Sequence, residues 1–382
     1  MSLNPNVLVD HAKKISGLDD FGNELFLEGL EQLVASINLE ASLNDIGFQA
    51  QEHRIIGLLT NLLRTVEALK QHPEILNETI KSPIVIVGLP RTGSTMTHRL
   101  LASDPNHTAM LWWEGRYPAV LPNEEAGKPI ERMKLGEAEV AAVVEASPEA
   151  LKIHPWDFNG ADEEILLIEH TFLSTVPESC MHLPSYSAWI EKQDHAVVYQ
   201  FLKKQIQYLQ WQTPGRENKR WILKSPHHLG FIDKVLQVFP DAKVIQTHRT
   251  PIDTVPSFGS MCANLSEQLT TDFNKARIAN HWQDKLCRAL VHCHEISKLY
   301  KDNFIHLDFR KMITEPLNEM KKIYKFIDED FADQAENAMR AWQEENKHEM
   351  GSHKYSLEEY GLSKEKIESE FKLYIDTYIG KL

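Results

Sequence analysis

The chain has 382 residues, 42% of them hydrophobic, and a formal net charge of −14. That length suits one large globular domain with an appendage, and the acidic balance argues against nucleic acid or an anionic membrane as partner, since both need an extended basic footprint. Any anion site must therefore be local. Cys180, Cys262, Cys287 and Cys293 form no C-x-x-C pair and no metal-ligand spacing, and are too few for a disulfide framework. The stretch MSLNPNVLVDHAKK lacks an apolar core of signal-peptide length, and no uninterrupted apolar run of about 18 residues occurs. A cytoplasmic protein without a membrane span is expected.

From about residue 20 to 72, apolar residues recur at helical spacing (Phe26, Leu30, Leu33, Val34; Ile55, Leu58, Leu59, Leu62) with no strand alternation. An N-terminal helical region over 1–80, packed on the core, is expected, with the main domain over 81–382. After two prolines, IVIVG reads as a β-branched strand buried on both faces of a parallel sheet. STMTHRLLASDP behind it suits a helix whose N-terminus faces the intervening loop. Residues of about 123–215 are irregular and aromatic-rich, reading as a mainly helical insertion that walls a pocket. RWILKSPHHLGFIDKVLQVFP, AKVIQTHRTPIDTVPSFGSM and NFIHLDFRKMITEPLNEMKKIYKFI then repeat the strand-then-helix rhythm. This alternation predicts an α/β fold with a parallel sheet covered by helices on both faces.

The loop between the first strand and its helix keeps the glycine spacing of a phosphate loop through Gly88 and Gly93, but Ser94 stands where the lysine belongs. Backbone N–H groups of such a loop bind anionic oxygens whatever the side chains, because orphan donors and helix dipole point the same way. Arg91 adds a planar cation. The later strands end in Lys224 and in His248-Arg249 rather than in a metal-binding aspartate. Cations without acidic metal ligands suit an anionic co-substrate that gives up a group without magnesium. HCHE, residues 292–295, is not a metal site on this reading, since i,i+2 spacing puts His292 and His294 on different helix faces.

Taken together, PRTGSTMTHRLL, LKSPHHLGFIDKVLQVFPDAKVIQTHR and HRTPIDTVPSFGSM resemble the sulfotransferases that use 3′-phosphoadenosine-5′-phosphosulfate (PAPS), in their bacterial branch. The resemblance runs from about residue 82 to 375. It implies a loop of Pro90, Arg91, Thr92, Gly93, Ser94 and Thr95 around the 5′-phosphosulfate, and Lys224 beside the sulfuryl group. It also implies Arg249 and Ser257 on the 3′-phosphate, and a covering basic residue, Lys354, in SHKYSLEEYGLSKEKI. A hydroxyl acceptor needs a general base. Similarity to tyrosyl-protein sulfotransferases suggests Glu114 in MLWWEGRYP, with His154, His170, His182, His227, Glu163 and Glu164 as rivals. The expected reaction moves a sulfuryl group to a small-molecule hydroxyl, apolar or aromatic, releasing adenosine 3′,5′-bisphosphate with no metal required. The alternatives are an ATP- and magnesium-dependent small-molecule kinase, or a degenerate nucleotide-binding interaction module. Acceptor and oligomeric state stay open.

Overall fold

The computed structural model describes residues 2–122, 124–125, 127–146, 156–346 and 356–380. Five strands, β1 (Ile84–Gly88), β2 (His107–Ala109), β3 (Arg220–Lys224), β4 (Lys243–His248) and β5 (Phe304–Asp308), form one sheet. Their order is β2-β3-β1-β4-β5 and every pairing is parallel. The central strand aligns Ile84 with Ile222 of β3 and with Lys243 of β4. Four of the five strands lie in the segments whose apolar runs announce them. β2 escapes that reading because HTA is a three-residue edge strand with no hydrophobic run.

Strand alternation divides the interior in two. Ile84, Ile86, Ile222, Ile245 and Leu307 face one core with Leu100, Leu101, Met320 and Ile323. Val85, Val87, Leu223 and Val244 face the other, which also contains Phe26, Leu30, Leu58, Leu62 and Leu63 from the N-terminal helices. A strand buried on both sides can be wholly apolar, which is why IVIVG carries no polar residue.

The N-terminal layer consists of α1 (Pro5–Ser16), α2 (Glu24–Ser36) and α3 (Asp45–Gln71). The first of these lies within the expected helical region but before the periodic stretch of about 20–72. It buries only Leu8 and Ala12, too little apolar surface for periodicity to detect, and its signal is instead Asn4-Pro5, with the Asn4 side chain accepting from Asn6 and Val7 N–H. The described part of the insertion is mainly helical, including Ile130–Ala146, Pro184–Ile190 and Ala196–Gln212.

Asn44 fastens α3 to the long helix Pro251–Leu269. Its Oδ1 caps α3 by accepting from Gly47 N–H at 2.8 Å, its Nδ2 donates to Gln268 O at 3.0 Å, and its N–H donates to Leu269 O at 3.0 Å. Asn44→Ala is expected to cost about 0.5–2 kcal/mol in urea unfolding. Asn44→Asp, which keeps the cap and loses only the Nδ2 donor, should cost less.

Candidate active site

All the parallel strands point the same way, so the C-terminal ends of β1, β3, β4 and β5 open on one crevice, where ligands of open α/β sheets bind. Beyond β1 the chain turns through Pro90, Arg91 and Thr92 into α4 (Ser94–Ser103). Arg91 and Gly93 both have positive φ, 69° and 82°. At Gly93 a side chain would also meet the Phe309 ring at 3.0 Å, so glycine is needed for conformation and space alike. No side chain among the described residues caps α4. Its first N–H groups therefore face the crevice as anion donors. Thr92 braces the loop from behind, its hydroxyl donating to Leu89 O at 2.7 Å and pairing with Thr247 Oγ1 at 2.7 Å.

Lys224, the last residue of β3, is 2% exposed. Its Nζ donates to Thr95 Oγ1 at 3.1 Å and to Glu163 Oε1. Its backbone N–H donates to Glu164 Oε2 at 2.9 Å. Glu164 Oε1 in turn bonds His228 Nε2, and Tyr199 OH bonds His228 Nδ1 at 2.8 Å. The neighbouring His228 imidazole holds the Glu164 carboxyl below its ordinary pKa against the opposing effect of burial. Two consecutive carboxylates of the insertion thus hold one lysine, one by its ammonium and the other by its backbone.

Arg249 follows β4. Its Nη1 donates to Arg91 O at 3.2 Å, its Nε to Asp253 Oδ2 at 3.3 Å, and its guanidinium lies 4.4 Å from the Phe309 ring centroid. The adjacent His248 is buried and bonds Tyr374 OH and His306 Nδ1, both at 3.0 Å. It also stacks on Tyr378 at 4.3 Å. Burial drives its pKa well down, so the ring is neutral.

A cavity of about 1500 Å³ extends from the loop, lined by the polar Arg91, Ser94, Thr95, Glu163 and Arg249 and by the apolar Phe258, Met261, Leu265, Trp282 and Leu286. Pro90, Gly93 and Trp112 also reach it, whereas Trp113 packs against Trp112 and Val140. The insertion also brings the carboxylates of Asp157, Asp162 and Glu163 to the wall. No triad of His, Cys, Asp or Glu able to hold a metal occurs among the described residues.

Other expected residues stand elsewhere. Glu114 is 2% exposed, does not line the cavity, and has both oxygens engaged. Arg216 donates to them at 2.8 and 3.0 Å, and Leu111 N–H at 2.9 Å. The carboxylate anchors the turn Trp112–Arg116 to Arg216. Ser257 is buried on the helix, whose cavity face is Phe258, Met261 and Leu265. His170 accepts from Gln205 Nε2 at 3.2 Å in the interior, and His182 packs edge-on against His281. His227 does line the cavity, bonding Thr175 Oγ1 at 3.3 Å, and burial pushes its pKa well below 6.5. His154 and Lys354 lie outside the described residues. The Glu163–Lys224 contact has no local signal beyond the acidic pair in GADEEILL.

The fold agrees with comparisons to known proteins. A model of the sulfotransferase family matches residues 83–333. The chain belongs to the sulfotransferase family. The crystal structure of sulfotransferase STF1 from Mycobacterium tuberculosis H37Rv is similar with a TM-score of 0.85 and 30% identity, covering 97% of this chain and 98% of that one. Sulfotransferase STF9 from Mycobacterium avium shares the fold at TM-score 0.88 and 24% identity, over 98% and 96% of the two chains. The omega-hydroxy-beta-dihydromenaquinone-9 sulfotransferase Stf3 of Mycobacterium tuberculosis is 25% identical over 257 residues, 64% of this chain and 62% of Stf3. The chain spans 30% to 62% of the length of the curated relatives it matches.

Glu114→Ala leaves Arg216 charged and buried without its partner. The expected cost is about 3–5 kcal/mol, read by urea unfolding. A fully stable variant with no turnover would instead return Glu114 to the catalytic role.

Proposed function

We propose that the protein transfers a sulfuryl group from PAPS to the hydroxyl of a bulky, largely apolar small molecule, releasing adenosine 3′,5′-bisphosphate. The observation that carries this reading is the line of contacts Thr95–Lys224–Glu163, which joins the anion-binding loop to a carboxylate at the edge of the apolar cavity. The donor brings a sulfuryl group already activated by its bond to phosphate.

The residues present fit such a donor. The uncapped first turn of α4, with Arg91, Ser94 and Thr95, offers donors to the phosphosulfate oxygens, and Lys224 neutralises charge on the departing phosphate. Arg249 is assigned to the 3′-phosphate, with Phe309, Ile313 and Trp342 as nearby wall. Its ion pair with the half-exposed Asp253 is worth at most about 1 kcal/mol, so a phosphate displaces it readily. Ser257 and Lys354 keep the donor-binding roles implied by resemblance as part of this proposal. The kinase alternative is disfavoured because Ser94 replaces the lysine that ATP chemistry uses in such loops.

A single drug-sized ligand occupies roughly 300–1,000 Å³. The cavity, at about 1500 Å³, has room for donor and acceptor together. The Phe258, Met261, Leu265 and Trp282 side favours an apolar acceptor over a polyanionic glycan, which the net charge of −14 also repels. Stf3 is named for a hydroxylated dihydromenaquinone, and an apolar alcohol of comparable character suits this wall. A cytoplasmic location and independence from metal complete the reading.

Calorimetry should show adenosine 3′,5′-bisphosphate binding at least tenfold more tightly than AMP, with Arg249→Ala erasing the difference. Equal affinity for the two nucleotides would sink the 3′-phosphate assignment. Arg91→Ala and Lys224→Ala should abolish transfer with the fold retained, and EDTA should leave turnover unchanged. A strict magnesium requirement would instead support the kinase.

A further inference from the structure

The cavity wall carries carboxylates at Asp157, Asp162, Glu163, Glu191 and Glu344. Among them Glu163 is the one that touches the lysine beside the loop. Its side chain is 20% exposed against 3% for Lys224, so the carboxylate faces the cavity and covers the ammonium behind it. The backbone around it is pinned on both sides. Asp162 N–H donates to Met110 O at 2.9 Å, Asp162 Oδ1 accepts from Glu163 N–H at 2.6 Å, and Glu164 is locked to β3 and His228. Such support is what a precisely held reacting group needs.

Several competing groups are otherwise committed. Both oxygens of Glu164 are used by Lys224 N–H and His228, and both of Glu114 by Arg216 and Leu111. Glu191 pairs with Arg288 at 2.9 Å and Lys285 at 3.5 Å. His227 is the neutral rival, with its Nε2 buried and unpartnered among the described residues. It bonds Thr175 and packs against Phe231 at 4.8 Å, whereas Glu163 shares Lys224 with Thr95.

We propose that Glu163 is the general base of the transfer, and that its ion pair with Lys224 withholds it until the donor's anionic oxygens draw the ammonium away. The proposal rests on the sulfuryl-transfer reading above. With the donor in place, Lys224 turns from Glu163 to the bridging and phosphate oxygens. Glu163 then accepts the proton of the acceptor hydroxyl as that oxygen forms its bond to sulfur. The bond from sulfur to the bridging oxygen breaks, and its electron pair stays on the 5′-phosphate beside Lys224. The glutamic acid proton passes to solvent, and the ion pair re-forms after the bisphosphate leaves. The arrangement imposes an order: without donor, the base is capped by a cation.

Two measurements test it without knowledge of the natural acceptor. The first is calorimetric titration with adenosine 3′,5′-bisphosphate. Glu163→Gln frees Lys224 from its competitor and should tighten binding by roughly three- to tenfold, within the range for directly coupled neighbours. Unchanged or weaker binding overturns the capping. The second is the rate of bisphosphate release from PAPS with 2-naphthol, 1-dodecanol or water alone as acceptor. Glu163→Gln should lower it by about 10²–10⁴-fold, His227→Asn by less than tenfold, and added formate should restore part of the rate to Glu163→Ala but none to Lys224→Ala. Wild-type rates in Glu163→Gln, or no rescue by formate, would remove Glu163 as the base. Failure of the wild-type protein to bind the bisphosphate at all would mark the parent reading as the error.

Discussion

A buried ammonium cannot stand alone, and the site is organised around meeting that demand at Lys224. The end of β3 delivers the lysine into a nearly closed position. Its charge is met by Glu163, its backbone by Glu164, and its remaining direction by Thr95 of the loop. Insertion, central sheet and α4 therefore meet at one residue, and the carboxylates that satisfy it come from the part of the chain outside the strand-helix rhythm.

The sheet makes that meeting possible through its two-sided burial. Ile84 and Ile86 enter one core while Val85 and Val87 enter the other, so β1 is fixed from both faces and its loop starts from a rigid base. The N-terminal helices, outside the region matched by the family model, contribute Phe26, Leu30 and Leu62 to the core beneath one face.

Local features were legible in the sequence. The run Ile84–Gly88, the Gly88 and Gly93 spacing, and the helix beginning at Ser94 are each encoded within a few residues. Contacts across the chain were not. Glu163 and Lys224 are 61 residues apart, and Glu114 and Arg216 are 102 apart, so no periodicity or spacing connects them. Resemblance led to Glu114 because a glutamate follows the loop helix at a suitable interval. Which way its carboxylate points depends on an arginine at the far end of the insertion. The interval from Arg249 to Ser257 is readable in the sequence, whereas the turning of Phe258 and Met261 of the same helix to the cavity is not.

The helix Pro251–Leu269 begins immediately after Arg249 and Thr250 and carries Phe258, Met261 and Leu265 to the cavity. Those three residues are spaced at three and four, one stripe along a single face. The arginine assigned to the donor thus stands just before the rod that carries the wall assigned to the acceptor, with Phe258 roughly two turns into it. Evolution can exchange the stripe and reshape the guest while the root of the rod stays fixed. On the proposed assignments, a change of guest then requires no change at the arginine that holds the donor.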